Sequence, residues 1–150
     1  MKNDFVATGI VFNQDITKVL LVWHRKLNRW LPPGGHLEMN ELPHLGAIRE
    51  VLEETNVDAV IWEQPNQIAT NNAYEIVLPN PYVILHEVIA STSKEAEHMH
   101  IDFIYLLQAS EDNAITINDE VEKGKWFLKE EILSSNTFDS IKQICSRVMN

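Results

Sequence analysis

One segment constrains this chain more than any other: Pro32-Pro33-Gly34-Gly35, followed closely by ELPHLGAIREVLEET over 41–55. The Pro-Gly run interrupts regular structure, so RKLNRWLPPGG reads as a loop. Beyond it Leu45, Ile48, Val51 and Leu52 recur at helical spacing, and Pro43 suits a first helical turn. An amphipathic helix is therefore expected over 41–55. At 100° per residue Glu50, Glu53 and Glu54 share one face, with Ile48, Val51 and Leu52 expected opposite.

That helix is set among β-rich runs. DFVATGIVFN and KVLLVWH flank the polar turn NQDIT and predict a hairpin. VDAVIWEQ, YVILHEVIA and HIDFIYLLQA predict further strands, and PNQIATNNAYEIVLPN an irregular stretch or second hairpin. GKWFLKEEIL predicts a short strand running into a short helix. NTFDSIKQICSRVM predicts a closing helix capped by Asn136 or Thr137. Strands outnumber helices, and several neighbours are close enough in sequence to pair antiparallel. The expected class is α/β, a mixed sheet between helical layers. At 150 residues, with no repeat or Gly/Ser linker, one domain is expected.

The carboxylate face calls for an explanation. Like charges at this spacing destabilise a helix by a few tenths of a kcal/mol per pair. Near a helix C-terminus the macrodipole disfavours them further. A bound divalent cation reverses the sign, because oxygens at i, i+3 and i+4 can converge on Mg²⁺ and leave positions for water and phosphate. The alternative is a solvated Glu-rich face, since Glu is a good helix former. Composition bears on the choice. With 12 basic against 22 acidic residues the formal net charge is −10, which argues against a nucleic-acid coat or a membrane-surface protein. Such a chain can hold a polyphosphate when a cation lies between. The single cysteine, Cys145, excludes an internal disulfide and a cysteine-based zinc site. It fits a reducing compartment. No apolar run of signal-peptide or membrane-spanning length occurs, so a cytoplasmic location is expected.

The surroundings of the acids decide the matter. Gly35, five residues, Glu41, seven residues, Arg49-Glu50-Val51, then Glu53, Glu54, Asn56 and Val57 resemble the Nudix box. The pattern departs from it once, with Asn56 in place of the last glycine. Asn tolerates the left-handed conformation that ends helices, so termination is expected to survive at a cost of about 1 kcal/mol. WLPPGGHLE resembles the family's lead-in and KWFLKEEI its closing segment.

The resemblance implies a Nudix-like α/β/α sandwich and an Mg²⁺-dependent pyrophosphohydrolase of nucleoside diphosphate derivatives, with Mn²⁺ able to substitute. It implies Glu50, Glu53, Glu54 and the Gly35 carbonyl as metal ligands. Arg49 would fix the carboxylates, and Glu41 would pair with Arg49. One of the helix glutamates, or a loop acid, would serve the water. Glu97, Glu120 and Glu122 are the candidate loop acids, of which Glu120 and Glu122 are expected to face substrate. Arg25, Lys26 and Arg29 form the only basic cluster, and Arg25 and Arg29 are candidates for phosphate or base contacts. Trp30 is expected in the core rather than as a stacking platform. His98, His100 and Asp102 alternate on one strand face and are read as packed or hydrogen-bonded rather than as a transition-metal site.

The expected substrate is a nucleoside triphosphate, oxidised forms included, cleaved to monophosphate and pyrophosphate. ADP-ribose, dinucleoside polyphosphates and nucleotide sugars are the alternatives. An isomerase of the isopentenyl diphosphate type would need a catalytic cysteine, and Cys145 lies in the closing helix. A non-catalytic nucleotide sensor would be expected to lack helix glutamates, and all three are present. A homodimer through edge strands or loops is a further expectation.

Overall fold

The computed structural model describes residues 2–110 and 123–150. Its elements are β1 (Asn3–Phe12), β2 (Lys18–His24), β3 (Arg29–Leu31), β4 (Gly34–His36), α1 (Pro43–Thr55), β5 (Ala59–Ile61), β6 (Val83–Ile89), β7 (His98–Ala109), β8 (Gly124–Leu128), α2 (Lys129–Ser134) and α3 (Asp139–Val148). The sheet runs β3-β2-β1-β7-β5, with β4 on β1, β6 on β7 and β8 on β2. β1 and β7 pair in parallel along their length, from Asn3↔Met99 to Phe12↔Gln108, and the other pairings are antiparallel. The mixed sheet expected from the sequence is present.

Alternation along β1 and β7 sends side chains into two cores. Ala7, Val11, Tyr105 and Leu107 pack with Ala47 and Val51 of α1. Ile10, Phe12, Ile104 and Leu106 pack with Ile132 of α2 and Ile141 and Ile144 of α3. Helices thus cover both faces, an α/β/α sandwich. Gly9 lets α1 lie close: a Cβ there would sit 2.6 Å from Val51 Cγ2. Among the described residues no helix is long and apolar enough to cross a membrane.

Several local expectations change. The loop over 25–35 contains two three-residue strands, β3 and β4, recruited by the backbone edges of β2 and β1. VDAVIWEQ is extended in the sheet only over Ala59–Ile61, where β7 offers a partner. The stretch 65–80 is irregular, as expected, with one isolated bridge, Asn71↔Ile76. Neither Asn136 nor Thr137 caps α3. Phe138 is the N-cap, without a side-chain bond. Asn136 instead donates from Nδ2 to the Asn28 carbonyl at 2.8 Å, and its own carbonyl accepts from the Trp30 amide at 2.9 Å. The α2–α3 connection is therefore committed to the β2–β3 turn.

Candidate active site

The apolar stripe of α1 is not the one expected. Gly46, Ala47, Glu50, Val51, Glu54 and Thr55 are buried, while Leu45 and Leu52 are 48% and 46% exposed. Residues 47, 50, 51, 54 and 55 form one stripe at 3.6 per turn, so Glu50 and Glu54 go inward beside Val51. Glu53 remains exposed. Glu50 and Glu54 thus form a buried seam between helix and sheet, with Glu53 at its solvent edge.

β4 lines that seam. Its register on β1 sets Gly34 opposite Thr8, Gly35 opposite Ala7 and His36 opposite Val6. Gly35 faces α1 with the carboxylate of Glu50 against it. A Cβ on Gly35 would lie 2.6 Å from Glu50 Oε1 and 2.8 Å from Oε2. Glu54 Oε2 accepts the Gly34 amide at 3.2 Å. The loop backbone and two helix acids are thereby held together.

Arg49 organises the rest. Its Nε donates to Glu41 Oε2 at 2.7 Å and its Nη2 to Glu41 Oε1 at 2.9 Å, a two-pronged pairing. Nη1 donates to Glu50 Oε1 at 2.9 Å and to Glu53 Oε2 at 3.0 Å. Nη2 also reaches the His36 carbonyl at 3.1 Å. The hydrogen bonds from Arg49 hold the Glu41 carboxyl below its ordinary range. Donation to Glu41, together with the charge of Glu50, raises the Arg49 guanidinium above its own. One permanent cation thus sits among three carboxylates and lowers the repulsion that the helix sequence implies. Two contacts of Glu38 escaped the sequence reading. Glu38 stands 3.7 Å from Arg49, and the Glu38 amide donates to Glu41 at 3.1 Å. The turn Glu38–Glu41 makes both contacts possible, and nothing in residue spacing announces them.

The donor set fits a hard divalent cation. Carboxylates of Glu50, Glu53 and Glu54 and the carbonyl of Gly35 are oxygen ligands of the kind Mg²⁺ takes. The missing Cβ of Gly35 is what lets the Glu50 carboxylate lie against the loop backbone.

Other candidates fall elsewhere. Arg25 is exposed in the β2–β3 turn, and the Arg29 guanidinium lies over the Phe138 ring at 4.5 Å. Trp30 packs edge-on against Phe127 at 4.9 Å and joins the α3-side core. Glu97 is exposed beside β7, and Glu120 and Glu122 lie outside the described residues. Asp102 accepts the Thr8 hydroxyl at 2.8 Å and pairs with Glu87. His98 and His100 instead converge with Asp4 of β1. Cys145 is buried, its thiol pushed up to about 12 by burial, which leaves it without the thiolate that nucleophilic chemistry needs.

Comparison with known proteins bears on the fold and the family. The NUDIX domain family model matches residues 3–146. A hydrolase of the NUDIX family from Clostridium perfringens has a similar structure, with TM-score 0.78, 27% identity and coverage of 99% of this chain and 97% of that one. The dihydroneopterin triphosphate pyrophosphohydrolase of E. coli shares the fold at TM-score 0.65 and 14% identity, over 99% and 98% of the two chains. The "Probable DHNTP pyrophosphohydrolase" of Lactococcus lactis subsp. cremoris (strain MG1363) is 33% identical over 108 residues, 72% of this chain and 55% of its own length. The chain thus spans about half the length of that curated relative. With the family's pattern carried by Gly35, Glu41, Arg49, Glu50, Glu53 and Glu54 in one contiguous site, the chain belongs to the NUDIX family.

Proposed function

We propose that the protein is a divalent-metal-dependent pyrophosphohydrolase of nucleoside diphosphate derivatives. Its preferred substrate on this reading is a nucleoside triphosphate, released as monophosphate and pyrophosphate. The observation that carries the reading is the seam where Glu50 lies against Gly35 and Glu54 binds the Gly34 amide, with Glu50 and Glu53 both held by the fork of Arg49. Mg²⁺, or Mn²⁺ in its place, would neutralise phosphate oxygens and acidify water at that seam.

The chain's own residues supply position. Arg49 holds Glu41, Glu50 and Glu53 in fixed rotamers, so little reorganisation is left for the moment of reaction. Glu54 keeps the β4 backbone in register with the helix. One helix glutamate, or one of the loop acids that the sequence offers (Glu97, Glu120 or Glu122), would take the proton of the attacking water as it displaces pyrophosphate. The name of the Lactococcus lactis relative adds DHNTP to the substrates to be examined.

The test is pyrophosphate release from a panel of nucleoside triphosphates, DHNTP, ADP-ribose and nucleotide sugars, with Mg²⁺ and with EDTA. Turnover should require the metal, and Glu53→Gln with Glu54→Gln should lower it roughly a hundredfold or more. Turnover of the double variant within a few-fold of the parent overturns the ligand assignment. Tight nucleotide binding without turnover makes the protein a sensor instead.

A further inference from the structure

The sheet face opposite α1 gathers a second donor set that the carboxylate seam does not use. The parallel register of β1 on β7 sets Asp4 opposite His100, and His98 lies two residues along β7 on the same face. One ligand atom from each of Asp4, His98 and His100 falls within 4.8 Å of the others. His36, opposite Val6 on β4, points to this face as well. Its Nε2 is 3.4 Å from Asp4, and its ring is 5.2 Å from that of His100. Gly35 and His36 are adjacent in one strand, so the two donor sets lie on opposite sides of the sheet.

We propose that Asp4, His98 and His100, with His36 as a fourth ligand, bind a divalent transition-metal ion of the Zn²⁺ class. Imidazoles with one carboxylate suit such an ion and not Mg²⁺. Two features beyond proximity support the assignment. His98 Nδ1 lies 3.1 Å from the Ala96 carbonyl, and donation there leaves Nε2 with its lone pair for a metal. His100 Nε2 is buried with no hydrogen-bond partner among the described residues, an unsatisfied atom that a metal would satisfy. Ligand atoms around tetrahedral zinc lie about 3.3 Å apart. Bringing the Asp4, His98 and His100 atoms together therefore takes side-chain movements of at most about 1.5 Å, with the exposed Lys2 releasing Asp4.

The site is independent of the hydrolase reading and is tested without nucleotide. The full chain, stripped with EDTA and dialysed, is titrated with Zn²⁺ by calorimetry and with Co²⁺ by visible absorption. One saturable equivalent and the intense d–d band of four-coordinate Co²⁺ are expected. His98→Ala with His100→Ala should abolish the band and weaken Zn²⁺ binding by at least about tenfold. Asp4→Asn, nearly isosteric, should weaken it in a chain whose circular dichroism is unchanged. Glu53→Gln with Glu54→Gln should leave it intact. No saturable Zn²⁺ binding overturns the proposal. Binding that survives both the histidine and the Asp4 variants, or that is lost with the helix glutamates, also overturns it.

Discussion

Arg49 resolves a conflict that the sequence alone states but does not settle. Three glutamates within five residues repel one another. The guanidinium fork answers with bonds to Glu50 and Glu53 and two to Glu41, while Glu54 turns to the Gly34 amide. Gly35 is required for a different reason. No glycine among the described residues has positive φ, so conformational freedom is not the issue. Space is: a Cβ at this position would enter the Glu50 carboxylate at 2.6 Å. Gly35→Ala is therefore expected to lower stability by about 1–3 kcal/mol through forced displacement of a buried acid. It should also lower kcat/KM well beyond that loss of folded protein. Urea denaturation and steady-state kinetics on the same preparation separate the two effects. Unchanged kinetics would show that the Glu50 position is not needed.

At the scale of the element, α1 is poorly equipped to stand alone. It has no side-chain N-cap, no acid in its first turn and no base in its last. Its carboxylates lie at the end where the macrodipole opposes them. Packing of Ala47 and Val51 on the sheet and the tie through Arg49 hold it instead. Its end is well made. Asn56 adopts φ 59° and ψ 22°, and its amide bonds to the Leu52 carbonyl at 2.9 Å. Asn56 is thus the left-handed residue that the Nudix pattern fills with glycine. Asn56→Ala should destabilise by about 1 kcal/mol, and Asn56→Gly should be neutral or stabilising by up to a similar amount. Thermal denaturation of the two variants checks the order. A more stable Ala variant would contradict the cap.

Across the whole molecule, the β1–β7 pair divides the chain into two functional faces. One receives α1 and the carboxylate seam, and the other carries Asp4, His98, His100 and, farther along, the Asp102–Glu87 pair. Burial and the neighbouring Asp102 charge push the Glu87 carboxyl up to about 8. The groups facing it are Asp102, which also accepts the Thr8 hydroxyl, and His100. A carboxyl whose folded value exceeds its unfolded one contributes stability below the ordinary carboxylate range. That contribution is lost as pH rises toward about 8. In EDTA, the urea midpoint of the parent should therefore fall between about pH 5 and 9 more steeply than that of Glu87→Gln, which keeps a donor for Asp102 without titrating. Equal slopes would remove Glu87 as the source.

Local chemistry was sufficient for α1, for β1, β2, β6 and β7, for the left-handed Asn56 and for the spacing that brings Glu50 to Gly35 and Glu54 to Gly34. Each rests on periodicity or on residues close in the chain. Which stripe of α1 is buried was decided by what packs against it: β4 occupies the side bearing Glu50 and Glu54, and Leu45 and Leu52 are left in solvent. The strands β3 and β4 exist because β2 and β1 offer them edges. The partner of His98 and His100 is Asp4, not the Asp102 that shares their strand, because a parallel register joins segments almost a hundred residues apart. Spacing along a chain specifies faces, but hydrogen bonding between strands specifies which faces meet.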